Sequence, residues 1–279
     1  MKNRFLILVA FIATAVFSLG LTSCQKMYRP EMVIIPDPPP PPYNPLKSYW
    51  AFENSLVDSA ENKLSATSTN TSYVAGVTGQ ALKVNENGYV LIENAGDTLK
   101  NLGSFTLSFW MNGVGPVQGG AQGLFSITNK NEFWGNLDLF LENHSNGNEG
   151  FLKVHMFNAN AANGKGEQWN EVKIPNMLNK WTHIAITYNA TNSQMSIYAD
   201  GQPTALNNKV LDNGSYGAIK FNDVNGVVLG NYQFETNPSR GSGGAEPWAR
   251  SFNGSLDQFR IYNKALTAAE ITTLFNSKQ

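Results

Sequence analysis

From Lys47 onward the chain has the pattern of many short strands, in which runs rich in β-branched and aromatic residues are separated by Gly, Asn, Asp and Ser. The runs are Ser104 to Met111, Leu124 to Thr128, Leu137 to Glu142, Phe151 to Phe157, Trp181 to Tyr188, Met195 to Ala199, Val227 to Gly230 and Leu256 to Tyr262. Side chains on a strand alternate between its faces, and strands this short must share a core with many others. The pattern therefore restricts the chain to a sandwich or a barrel. Asp200-Gly201, directly after one run, predicts a tight reversal with glycine at positive φ. Only the segment from Thr267 reads as helix. Thr267-Ala268-Ala269-Glu270 is a capping box, and Ile271, Leu274 and Phe275 follow as one apolar stripe of a turn or two on the sandwich edge.

A chain of 279 residues with 42% hydrophobic composition has enough apolar surface for one large β domain. Its formal net charge of -1 supplies no basic field, so no nucleic-acid partner is expected. The N-terminus has a different character. Lys2 and Arg4 precede an apolar run from Phe5 to Val16, which reads as a signal peptide over residues 1–23. No basic stop-transfer flank follows, which argues against a retained membrane helix. Leu21-Thr22-Ser23-Cys24 resembles the lipobox of bacterial lipoproteins. That resemblance implies a lipid on Cys24 and attachment to the bacterial outer membrane, facing either the periplasm or the exterior. Cys24 is the only cysteine, so an internal disulfide is excluded. Pro36-Asp37 and the unbroken Pro38 to Pro42 make residues 24–45 a polyproline-rich linker, leaving 46–279 as the folded domain.

Alternation also names candidate ligand-binding side chains. In the run from Phe105, residues Phe105, Leu107 and Phe109 face one way and Trp110 the other. The same reading turns Asp138, Phe140 and Glu142 outward, then His155 and Phe157, then His183. If these strands share a concave sheet, Trp110, Asp138, Phe140, Glu142, His155, Phe157 and His183 line one groove. Rings beside carboxylates suit sugars, whose C–H faces stack on the rings while hydroxyls bond to acids and amides. The polar segments Asn158 to Asn170 and Thr236 to Trp248 read as long loops that could rim the groove, with Trp134, Trp169 and Trp248 as secondary contacts. Little in the chain argues for catalysis. Asp138 and Glu142 share a face but stand four residues apart, too far for a retaining glycosidase pair, which leaves only an inverting pair. His144, His155 and His183 lack metal-ligand spacing, and no Gly-x-Ser-x-Gly anchors a serine nucleophile.

Several motifs, in order, resemble the laminin-G-like members of the concanavalin A-like lectin/glucanase superfamily. They include Tyr49-Trp50-Ala51-Phe52-Glu53, Val77-Thr78-Gly79-Gln80-Ala81-Leu82, Phe105 to Trp110, Trp181 to Tyr188, Ile197 to Gly201 and Phe252 to Tyr262. The resemblance implies an all-β jelly roll of two packed antiparallel sheets, one concave, with one short C-terminal helix. It further implies one structural Ca²⁺ between the N-terminal loop and the strand of Asp257, at positions matching Glu53, Asp58 and Asp257. Where hydrolases of the superfamily carry an intervening acid, this chain has Phe140. The function expected is non-catalytic carbohydrate capture, as in polysaccharide uptake. A protein-binding or adhesive module and a glycoside hydrolase are the alternatives.

Overall fold

All eight apolar runs form strands in a computed structural model that describes residues 43–95, 99–161 and 166–278. The expected signal peptide, Cys24 and the linker up to residue 42 lie outside the described residues. The chain divides into two units, Met1–Tyr43 and Asn44–Gln279, and every described strand belongs to the second.

Strands β1 (Leu46–Trp50), β2 (Ala66–Ala75) and β3 (Gln80–Glu93) precede β4 (Phe105–Gly113) and β5 (Ala121–Ile127). Next come β6 (Leu137–Leu141), β7 (Gly150–Phe157), β8 (Glu167–Ile174), β9 (Thr182–Asn189) and β10 (Gln194–Ala199). The short β11 (Gln202–Pro203) and β12 (Lys209–Val210) lead to β13 (Gly226–Leu229), β14 (Ala249–Ser251), β15 (Gly254–Tyr262) and the helix α1 (Ala268–Ser277). Apart from the parallel pair β5 and β14, neighbours are antiparallel.

The hydrogen-bonded order is β11-β10-β9-β4-β15-β3-β13-β5-β6-β7-β8. β3 turns the corner between the two layers. Its first part pairs with β15 through Leu82–Leu256, and its second part pairs with β13 through Val90–Leu229. Between them Asn87 takes a φ of 57°, a left-handed conformation that asparagine tolerates better than most residues. One layer is therefore β10-β9-β4-β15 and the other β13-β5-β6-β7-β8. Their inner faces meet in a single apolar core, where Phe259 of β15 stacks on Phe125 of β5 at 5.3 Å between ring centroids.

The reversal at Asp200-Gly201 has both residues at positive φ, 48° and 76°, and sets Ala199 opposite Gln202. This is the two-residue hairpin the sequence predicts. The helix also forms with the expected capping box, but it runs ten residues instead of a turn or two, and it lies on the outer face of a layer, where Ile271 packs with Ala185, Tyr198 and Tyr262, not on the sandwich edge. Thr267 Oγ1 accepts from the Glu270 amide at 3.3 Å, and Glu270 Oε2 accepts from the Thr267 amide at 2.8 Å. Another segment departs from expectation. The second half of the supposed loop Asn158 to Asn170 begins β8, an edge strand whose inner face is Asn170, Val172 and Ile174 and whose outer face carries Trp169, Glu171 and Lys173. Charges on an exposed edge discourage pairing with another chain, and they also obscure the strand's alternation.

Candidate aromatic binding cleft

The outer face of the second layer is built around a polar ladder that crosses three strands. Ser126 on β5 donates to Asp138 Oδ1 on β6 at 2.5 Å, and Asp138 Oδ2 lies 2.9 Å from His155 Nδ1 on β7. His155 Nε2 in turn faces Glu167 Oε1 of β8 at 3.3 Å. The pairing of Asp138 opposite His155 follows from strand register alone. Because a carboxylate only accepts, the Asp138 contact places a proton on Nδ1 and fixes the ring's orientation. Asp138 and His155 are buried, at 1% and 2% exposure. Buried polar groups that are all bonded rigidify a site, whereas one stranded donor costs about 1–3 kcal/mol. Gly135 passes so close that a Cβ there would sit 2.4 Å from Ser126 Oγ, so this crossing requires glycine.

Aromatic rings cover the ladder. Trp134, from the loop between β5 and β6, stacks on Phe140 at 5.6 Å and meets Trp169 of β8 at 5.0 Å and 83°, nearly perpendicular. Trp169 also lies 4.4 Å from the His155 ring. A buried glutamine helps to hold the loop carrying Trp134. Gln233 accepts from the Asn129 amide at 2.7 Å and donates to the carbonyls of Glu132 and Phe133 at 2.8 and 2.9 Å. Farther along, Tyr232 and Phe234 continue the ring cluster to Trp248. Trp169 and Trp248 keep 44% and 39% of their surface exposed, so the cluster ends in rings a ligand can touch. Beside them opens a cleft of about 370 Å³ lined by Phe133, Trp134, His155, Phe157, Glu167 and neighbouring polar residues.

Of the seven expected ligand-binding residues, this face brings together five: Asp138, Phe140, Glu142, His155 and Phe157. His155 and Phe157 line the cleft, whereas Asp138 and Phe140 lie beneath the rings and support them. Glu142 is turned to Lys153 at 3.1 Å, outside the cleft. Trp110 and His183 must be reassigned. They face outward from the other layer, where α1 covers them: Phe275 stacks on Trp110 at 5.5 Å and lies 6.1 Å from His183. Their exposures of 4% and 1% leave no surface for a ligand. Burial above all, helped by Arg260 and opposed by Asp200, lowers the His183 pKa to about 4.

The three expected calcium ligands do not converge. Asp58 accepts from the amides of Tyr49, Ala60 and Leu64 at 2.8, 3.0 and 3.2 Å and so stabilises its own turn. Glu53 accepts from the Gln80 amide at 2.9 Å, and Asp257 Oδ2 accepts from the Val77 amide at 2.9 Å. Among the described residues no three His, Cys, Asp or Glu side chains gather in a way that could hold a metal ion, so the trio as a set does not fit Ca²⁺. Asp257 has a different consequence. Burial, with a contribution from nearby Glu53, pushes its pKa up from 3.8 to about 6 against the pull of the Val77 and Thr78 amides. Folding thus favours the protonated form. The stability Asp257 contributes is full below about pH 4 and is lost as pH rises through about 6. Asp257→Asn, which keeps an acceptor for Val77, is expected to raise the melting temperature at pH 7 and to flatten its dependence between pH 4 and 6. An unchanged pH profile in thermal melts of the variant would refute this assignment.

A protein-family model described as the Concanavalin A-like lectin/glucanases superfamily matches residues 84–272. Among solved structures, the binding domain of botulinum neurotoxin DC in complex with SialylT superposes with a TM-score of 0.58 at 18% identity, over 85% of this chain and 52% of that one. Botulinum neurotoxin type C, whose cell entry depends on interaction with two ganglioside molecules, gives 0.58 at 19% identity, over 84% and 51%. The neurotoxin DC binding domain in complex with rat synaptotagmin II gives 0.57 at 18%, over 84% and 51%. This chain thus spans about half the length of these structures, and at such identities the likeness is one of fold. No curated protein matches the sequence.

Proposed function

The chain belongs to the Concanavalin A-like lectin/glucanases superfamily, and from that membership we propose that its aromatic cleft captures carbohydrate without cleaving it. The observation that carries this reading is the pair Trp134 and Trp169, set at 83° over a fully bonded ladder. Rigid rings offering apolar faces, with polar groups at their edges, suit the two-sided character of a sugar. Capture without hydrolysis is supported by the state of the acids. Asp138 is sealed beneath the rings and Glu142 is engaged by Lys153, which leaves them poorly placed as an acid and base flanking a glycosidic bond. The toxin domains that share the fold, one in complex with SialylT and one dependent on gangliosides, agree with a glycan-binding role. The domain in complex with synaptotagmin II keeps a protein partner as the second reading.

The lipid expected on Cys24 would tether this module to the outer membrane, where captured glycan could feed an uptake system. Cys24→Ala is expected to move the protein from the membrane fraction to the soluble one; retention in the membrane fraction counts against the anchor. The binding reading is tested by screening the full chain against arrayed glycans and polysaccharide gels. Retention by at least one glycan class supports it. Folded protein retained by none would overturn it and turn the search to proteins.

A further inference from the structure

Resting on the reading of the cleft as a sugar site, we propose that it selects amino sugars bearing a free, protonated amine over neutral and acidic sugars. The first ground is charge. The cleft is lined by three acids, Glu132, Glu167 and Asp223, and among its described lining residues there is no lysine or arginine. Among the described residues neither Glu132 nor Asp223 makes an ion pair, and Glu167 pairs only with the His155 ring. Of the described cations near these acids, Lys153 is shared by Glu142 and Glu171 at 3.1 and 3.5 Å, and the Lys130 and Lys220 side chains do not line the cleft. A uronate or sialylated sugar entering here would meet like charge on several sides, which opposes binding strongly.

The second ground is the ring geometry, which is independent of the acids. Trp134, stacked on Phe140, and Trp169, 4.4 Å from the His155 ring, stand nearly perpendicular at 5.0 Å, forming a corner in which Trp169 keeps exposed ring surface. An ammonium placed against such a face is attracted by the ring quadrupole, most strongly for tryptophan. Trp169 is 44% exposed, so the corner is open to solvent. An amino sugar satisfies both features at once: its C–H face packs on one ring while its ammonium meets the carboxylates. A neutral sugar uses only the rings.

The test is to titrate the full chain at low salt, following tryptophan fluorescence, with oligomers of glucosamine, of N-acetylglucosamine and of galacturonate. The glucosamine oligomer is expected to bind about tenfold tighter than its N-acetylated counterpart, as two or three partly exposed charge contacts would give, and the galacturonate oligomer not measurably. Glu132→Gln combined with Asp223→Asn removes two carboxylates that bond no described residue, so the fold should be unaffected. This double variant is expected to weaken glucosamine binding about tenfold and to weaken N-acetylglucosamine binding clearly less. Equal or tighter binding of the N-acetylated or acidic oligomer would overturn the selectivity while leaving carbohydrate capture intact. Binding of none of the three, together with an empty glycan screen, would remove the reading on which it rests.

Discussion

Replacing Phe259 by alanine is expected to cost the fold about 3–5 kcal/mol, the range for a large ring removed from a packed interior. Phe259 is fully buried and stacks on Phe109 of its own layer at 5.0 Å and 14°, and on Phe125 of the opposite layer at 5.3 Å and 20°. Trp50 closes a third side at 6.4 Å. The ring is thus the bridge between the two layers, and its loss leaves a void bounded by other rigid rings that cannot collapse into it. Phe259→Leu keeps much of the volume and is expected to cost clearly less. Urea denaturation of the two variants decides the matter. A loss below about 1 kcal/mol for the alanine variant would mean that the layers repack and that this contact is not what holds them together.

Trp169→Ala is expected to weaken glycan binding by at least about 2 kcal/mol, roughly thirtyfold, as for a central aromatic anchor of an interface. The same change should cost stability little. Trp169 projects from an edge strand with 44% of its surface in water, so its removal opens a groove instead of creating a closed cavity. Trp110→Ala should show the opposite pattern, because Trp110 is 4% exposed beneath Phe275 and away from the cleft. Its loss is expected to lower the melting temperature and leave affinity unchanged. Paired calorimetry and thermal melts separate the two. Affinity lost in Trp110→Ala but kept in Trp169→Ala would move the binding face to the other layer.

Those two tryptophans also mark how far the sequence can be read. Strict alternation made the eight runs legible as strands, and it turned Asp138, Phe140, His155 and Phe157 correctly outward. It turned Trp110 and His183 outward as well, and they are. But a sandwich has two outer faces, and local alternation carries no information about which layer a strand joins. That depends on long-range pairing such as β4 with β9 and β6 with β7. The strands that were missed were hidden by other signals. β2 is largely threonine, serine and asparagine with mostly exposed side chains, β3 is interrupted by Asn85-Glu86-Asn87-Gly88, which reads as a turn, and β8 carries charges on its outer face. Glu167 was invisible as a site residue because its strand was. Gln233, which helps to hold the Trp134 loop, lies about a hundred residues from the groups it bonds, and no local pattern announces it.

β15 is the last of the described strands, yet it pairs with β1, β3 and β4. A polypeptide that emerges N-terminus first, from a ribosome or through a translocation pore, therefore cannot complete this arrangement in stages. Until residues 254–262 arrive, three earlier strands wait with bare edges, each a template for the wrong neighbour. Assembly must come late and nearly at once, which rewards a route that keeps the chain unfolded until it is whole.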